Sequence, residues 1–186
     1  MDAKSPFTAE HSVGVARLAR FLAAALGADA VTCARIEIAG LLHDLGKLRV
    51  PDEILDKPGR LDAAERAVMR THSFETFQIL RDIAGFEDIA CWAAWHHEEP
   101  NGSGYPFHLQ GDQLPLEARI LRVADIFQAM IQDRPYRAGL TPAEVSAFMR
   151  DLAGEGRVDA SIVEVLLPHL DEAMALGRRP RAGCAV

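Results

Sequence analysis

The sequence has little that would staple or anchor it. Its three cysteines, Cys33, Cys91 and Cys184, form no CxxC pair, and an odd count offers no disulfide framework. No apolar run reaches the length of a membrane span and no signal peptide opens the chain, so a reducing, cytoplasmic location is expected. Positive charge is also scarce: 20 Lys and Arg stand against 27 Asp and Glu, a formal net charge of −7. No basic block neutralises a phosphate backbone, which excludes bulk nucleic-acid binding. An anionic ligand would need cations gathered locally. There is no sustained alternation rich in Val, Ile and Thr, no internal repeat, and no linker that would divide the chain.

What is present reads as helix almost throughout. A length of 186 residues suits one domain with a real core. Helices are expected over about 8–26, closed by Gly27, and about 30–45, with Asp29 as N-cap and Gly46 as stop. "DEIL" (Asp52–Leu55) suggests one turn. Asp62 and Glu65 form a capping-box-like start for a helix to about 83, and another covers about 87–97. Later helices fall at about 116–132, 142–153 and 160–176, the second opened by "TPAE" with Pro142 at its first position. Between them "EEPNGSGYPFHLQGDQLP" has no periodicity, and loops of that length are usually functional or disordered. The expected architecture is an all-α helical bundle over 1–177 with a flexible tail at 178–186.

The histidines fall on the apolar faces of these helices. His11 aligns with Val15, Leu18 and Leu22; His43 with Ile36, Ala39 and Gly40; His72 with Val68 and Ile79; His96 with Ile89, Trp92 and Ala93, with His97 beside it. Singly, each is explained by a hydrogen-bonded core histidine. Together they are not, because burying a polar group without a partner costs roughly 2–7 kcal/mol. Five such groups would threaten a fold of about 5–15 kcal/mol net stability. A shared metal centre removes the conflict. Asp44 follows His43, and Asp125 lies inside the apolar helix "VADIFQAM", where the alternative is a helix-packing hydrogen bond. His108 and His169 read as ordinary surface or second-layer residues.

The candidate metal ligands are therefore His11, His43, Asp44, His72, His96, His97 and Asp125. That set exceeds one ion, so two are implied. With Asp44 bridging, the residues fill about eight of about twelve octahedral positions, a bridging hydroxide fills two more, and about two remain for phosphate oxygens. Mixed imidazole and carboxylate ligation suits iron or manganese better than zinc. No Ser or Cys lies in a nucleophile-elbow motif, and Ser103 lacks that context, which favours attack by the bridging hydroxide.

"HDLGK" (His43–Lys47), "HHEEPNGSGYP" (His96–Pro106) and "RILRVADIFQAMIQDRPYR" (Arg119–Arg137) resemble the HD-GYP family, HD-superfamily phosphohydrolases that cleave bacterial cyclic di-GMP. The resemblance runs from "SPFTAEHS" to about Leu170. It implies an all-helical fold and metal-dependent hydrolysis of a 3′–5′ phosphodiester to linear pGpG and, on further attack, GMP. Asp44 and Lys47 are then catalytic, Lys47 contacting the scissile phosphate. Gly104 and Tyr105 match the loop that shapes the substrate pocket, and Arg134 and Arg137 match basic positions for the distal phosphate and guanine.

Three departures stand out. Phe7 occupies a position where some members carry a glutamate that supports a third metal, so two metals are expected. Gln128 replaces a usual aspartate, which is expected to weaken a carboxylate partner of Lys47 and lower the rate. Asn101 replaces another and keeps turn propensity. The resemblance also implies an upstream sensory or receiver domain, and a diguanylate cyclase is the partner expected if the chain is a docking module that binds through the GYP loop. Other readings stay open: a different cyclic dinucleotide as substrate; a low-activity sensor or docking module, favoured by Gln128; and a generic nucleotide phosphohydrolase.

Overall fold

The computed structural model describes residues 6–133 and 138–178, with the side chains of 6–8 left aside. The chain forms α1 (Pro6–Ala25), α2 (Ala30–Leu42), α3 (Asp52–Leu55), α4 (Ala63–Leu80), α5 (Glu87–Ala94), α6 (Leu116–Ile131), α7 (Pro142–Gly154), α8 (Ala160–Leu166) and α9 (Leu170–Arg178), with short 3₁₀ segments at Leu45–Arg49, Gly111–Gln113 and Leu167–His169. No strand occurs among the described residues, so the all-α expectation holds. Among the described residues no helix is long and apolar enough to cross a membrane.

Capping chemistry sets most of the starts. The Asp29 carboxylate accepts the Thr32 N–H at 2.7 Å. At α4 the Asp62 side chain accepts the Glu65 N–H at 2.9 Å while Glu65 accepts the Asp62 N–H at 2.8 Å, a closed capping box. Thr141 and Glu144 form a second box with Pro142 just inside α7. Gly27 ends α1 with φ +85°, and the Ala28 N–H reaches back to the Ala23 carbonyl at 2.9 Å.

Several boundaries differ from expectation, among them the end of α4, at Leu80 rather than about 83. Helix α2 stops at Leu42 rather than 45, and Gly46 does not act as its stop. A Cβ on Gly46 would fall 1.9 Å from the His72 carbonyl oxygen, so this glycine lets the 3₁₀ segment press against the α4 backbone. Helix α5 ends at Ala94, short of 97. The expected helix over 160–176 is divided into α8 and α9 at Pro168, which has no N–H to donate and clashes with the preceding turn. Arg178 belongs to α9 rather than to a tail; residues 179–186, with Cys184, lie outside the described residues.

Helix α1 is the hub, packing on α2, α6 and α9. Its Val15, Leu18 and Leu22 share one buried cluster with Ile36 of α2, Ile120, Leu121, Phe127 and Ile131 of α6, and Met149, Ile162 and Leu166, all fully buried. The α1–α2 crossing is close because Gly40 faces Ala16: a Cβ there would lie 2.7 Å from the Ala16 Cα. Helix propensity favours alanine over glycine by about 1 kcal/mol, but overpacking costs about 1–3 kcal/mol. Gly40→Ala is therefore expected to lower the urea midpoint. A raised midpoint would mean that the two helices part freely.

Candidate metal centre

All seven proposed ligands come together in one cluster. His11 comes from α1, His72 from the middle of α4 and Asp125 from α6. His43 is the residue that ends α2, and Asp44 leads into the 3₁₀ segment. His96 and His97 lie just past α5. So His43, His96 and His97 do not sit on helix faces as expected. The reason is geometric: consecutive helical side chains diverge by about 100°, whereas the turn after Trp95 brings the His96 and His97 rings to 4.0 Å between centroids.

Three imidazoles are oriented in the same way. His43 Nδ1 lies 2.7 Å from the Gly40 carbonyl, His72 Nδ1 2.6 Å from that of Met69, and His96 Nδ1 2.7 Å from that of Ala93. A carbonyl only accepts, so each Nδ1 donates and each Nε2 is turned inward. His72 Nε2 and His96 Nε2 come within 3.4 Å, and the buried His43 Nε2 has no hydrogen-bond partner. Asp44 stands between them, with Oδ2 3.4 Å from His43 Nε2 and Oδ1 3.5 Å from His72 Nε2. Asp125 Oδ1 lies 2.9 Å from His11 Nε2 and 3.9 Å from His43 Nε2. The ligand atoms of His72, His96 and His97 lie within 4.8 Å of one another, as do those of His11, His43 and Asp125, and those of His43, Asp44 and His96.

This donor set fits divalent cations. Burial holds His96 well below the ordinary histidine range and His97 down at about 3, and it lowers His72. Those rings stay neutral and keep a lone pair. Burial opposes charge on His43 as well, yet Asp44 and Asp125 raise it above its ordinary value. Despite burial, His43 and Lys47 hold Asp44 well below the carboxylate range, and His11 does the same for Asp125. A buried carboxylate, Asp44, and a partly buried one, Asp125, among inward lone pairs call for positive charge, and the proton drawn onto His43 is what a metal would replace.

The other predicted residues border the cluster. Lys47 Nζ is 2.6 Å from Asp44 Oδ2. Gly104 lies so close to the start of its own loop that a Cβ would be 2.2 Å from the Glu99 nitrogen. The Tyr105 N–H donates to the His97 carbonyl at 3.1 Å, and its ring stacks on His97 at 4.7 Å and 27°. The Arg70 guanidinium caps that ring at 5.0 Å. Arg134 and Arg137 lie outside the described residues, as does the side chain of Phe7. Asn101 accepts the Ser103 N–H at 3.0 Å, a turn role that agrees with its side chain. Gln128 needs a correction. It is buried and donates to the Gly177 carbonyl at 3.1 Å, in a space left by Gly14 and Gly177. Lys47 has its carboxylate partner in Asp44, so the change at 128 does not leave it unpaired.

Sequence reasoning missed Arg122, Glu99 and Glu98, all buried. Arg122 precedes Asp125 by one turn on α6; it pairs with Glu99, donates to the Arg157 carbonyl at 3.0 Å, and reaches the His96 carbonyl at 3.5 Å. Its charge inside "ILRVADIF" was as anomalous as that of Asp125 and was the available signal.

The HD domain family profile matches residues 1–162. The chain belongs to the HD domain family. Curated relatives include the 3′3′-cGAMP-specific phosphodiesterase 1 of Vibrio cholerae, 41% identical over 90% of this chain and 39% of that protein. The cyclic di-GMP phosphodiesterase response regulator RpfG of Xanthomonas campestris is 38% identical over 82% of this chain and 41% of its own length. The chain thus spans about two fifths of these relatives. Among solved structures, the HDG"Y"P protein Bd1817 of Bdellovibrio bacteriovorus shares the HD fold, with a TM-score of 0.71 at 23% identity over 88% of this chain and 52% of that one. The HD-GYP resemblance read from the motifs is borne out.

For the HD domain without metal, acid sensitivity should begin early. His72, His96 and His97 resist protons that the unfolded chain takes up near 6.5. Their contribution is complete above that value and lost as pH falls toward 3, while His43, raised above its ordinary value, acts in the opposite sense. Chelator-treated protein is expected to show urea midpoints that drop between pH 8 and 5. A flat profile would show that these rings are not held neutral.

Proposed function

We propose that this domain is a divalent-metal phosphodiesterase that opens a 3′–5′ linkage of cyclic di-GMP, releasing linear pGpG and, on a second cut, GMP. One observation carries the reading: Asp44 directs one oxygen toward His43 and the other toward His72, between two sets of inward ligand atoms. Two ions, iron or manganese, would be held by His11, His43 and Asp125 on one side and His72, His96 and His97 on the other, with Asp44 shared. Bound there, they would lower the pKa of a coordinated water and neutralise charge on phosphoryl oxygens.

The chain's own groups supply binding and orientation. Lys47, held against Asp44 but partly open to solvent, offers a cation to the scissile phosphate. Gly104 and Tyr105 wall the pocket beside His97, and Arg134 and Arg137 take the far phosphate and guanine. These cations give an acidic protein the local positive charge that an anionic substrate requires. Across the wider protein, the proposal extends to a sensory or receiver domain and to a diguanylate cyclase partner.

A second reading, 3′3′-cGAMP as substrate, is favoured by the 41% identical Vibrio relative. A low-turnover sensor drew its support from Gln128, and the Lys47–Asp44 pair weighs against it. Anaerobic purification, metal counting, and time courses of both dinucleotides with Mn(II) or Fe(II) separate these readings. About two metals per chain and pGpG from cyclic di-GMP are expected. Faster opening of 3′3′-cGAMP would move the assignment to the second reading, and tight binding without product would support the sensor.

Asp44→Ala is expected to lose both metal and activity; turnover in that variant would overturn the ligand assignment. Lys47→Ala should keep its metal and slow hydrolysis by about a hundredfold, as loss of a transition-state charge partner does. Wild-type speed in Lys47→Ala would remove its role.

A further inference from the structure

Glu98 directly follows the histidine pair, yet its carboxylate takes no part in the cluster. It is 1% exposed, and among the described residues no cation lies within ion-pair distance of it. Its oxygens instead accept two backbone N–H groups from the far arm of the loop, Phe107 at 2.6 Å and Leu109 at 3.0 Å. Between these two stands His108 with φ +55°, in the left-handed region that non-glycine residues seldom adopt. A turn of this kind aims neighbouring amides at one anion, as in backbone concavities that bind phosphate. Here the anion is a buried side chain of the same loop, and it offsets the conformational cost at His108.

The near arm is tied to the same place. A Cβ on Gly104 would meet the Glu98 Cα at 2.5 Å, so the loop backbone lies directly against Glu98. Tyr105 sits between these two anchorages, with its ring on His97. We infer that Glu98 is the positioning residue for Tyr105: its carboxylate, clasped by the Phe107 and Leu109 amides, holds the loop so that the phenol ring stays stacked beside the metal-ligand cluster. Glu98 acts through Tyr105, as a clamp on the backbone. The kinetic part of this inference rests on the phosphodiesterase reading, and the backbone part does not.

Glu98→Gln keeps the volume but sets an amide N–H₂ against one backbone N–H. The expected result is hydrogen exchange at least about tenfold faster at the Phe107 and Leu109 amides, with Leu121 in the core unchanged. Metal content should stay at the wild-type level. KM for the cyclic dinucleotide should rise about tenfold while kcat stays within about twofold. In a Tyr105→Ala background the added KM effect should vanish, which a general loss of stability would not produce. If Glu98→Gln does not fold, His108→Val puts a β-branched residue at the left-handed position and should speed exchange at Leu109 in the same way. Unchanged exchange at both amides, or a KM penalty that adds in full to that of Tyr105→Ala, overturns the inference. If the wild type turns over no cyclic dinucleotide, the phosphodiesterase reading fails, and the exchange rates alone decide the clamp.

Discussion

Three imidazoles, each with its Nδ1 bonded to a carbonyl three residues earlier in the chain, turn their Nε2 atoms toward one buried volume, and the rest of the site is arranged around that fact. Inward nitrogens in a low-dielectric interior are costly unless something positive lies among them. The fold also brings two carboxylates into the same space, their pKa values held low by the neighbouring histidines and Lys47, and so sharpens the demand for a cation. Stability and chemistry are linked here: the arrangement that is costly without a metal is the one that would favour a divalent ion.

The supporting layer is made of backbone as much as side chain. Gly46 lets the segment after Asp44 lie against the carbonyl of His72, and Thr76 locks that contact by accepting the Gly46 N–H at 2.9 Å and donating to the His43 carbonyl at 3.0 Å. Arg122 ties α6, which carries Asp125, to the His96 carbonyl and to Glu99. Glu98 and Gly104 then close the following loop over His97. Each device joins elements distant in sequence, so the ligands are held by packing rather than by any one helix.

Much of this was legible in the residues themselves. Capping at Asp29, Asp62 and Thr141 is a local exchange of hydrogen bonds, and it falls where the sequence reading put it. The seven ligand candidates were legible because polar groups on apolar faces violate a simple burial rule. Helix ends near the site were less legible. His43 and His96 continue the apolar period of α2 and α5, with His97 next to it, and nothing local says that the helix stops first. Gln128 misled for a related reason: its position implies a partner in Lys47, whereas its direction is set by space at Gly14 and Gly177 on other helices.

The amino-acid sequence by itself determined the helical class, the capped starts, the net acidic charge and which histidines and aspartates are candidate ligands, since each follows from composition, short-range periodicity or the cost of burying a polar group. Tertiary structure alone decided how those ligands divide around Asp44, which nitrogen of His43, His72 and His96 points inward, and what Glu98 grips. Those outcomes depend on approaches between segments more than a hundred residues apart, such as His11 on Asp125, and no local pattern encodes the angle at which two helices meet.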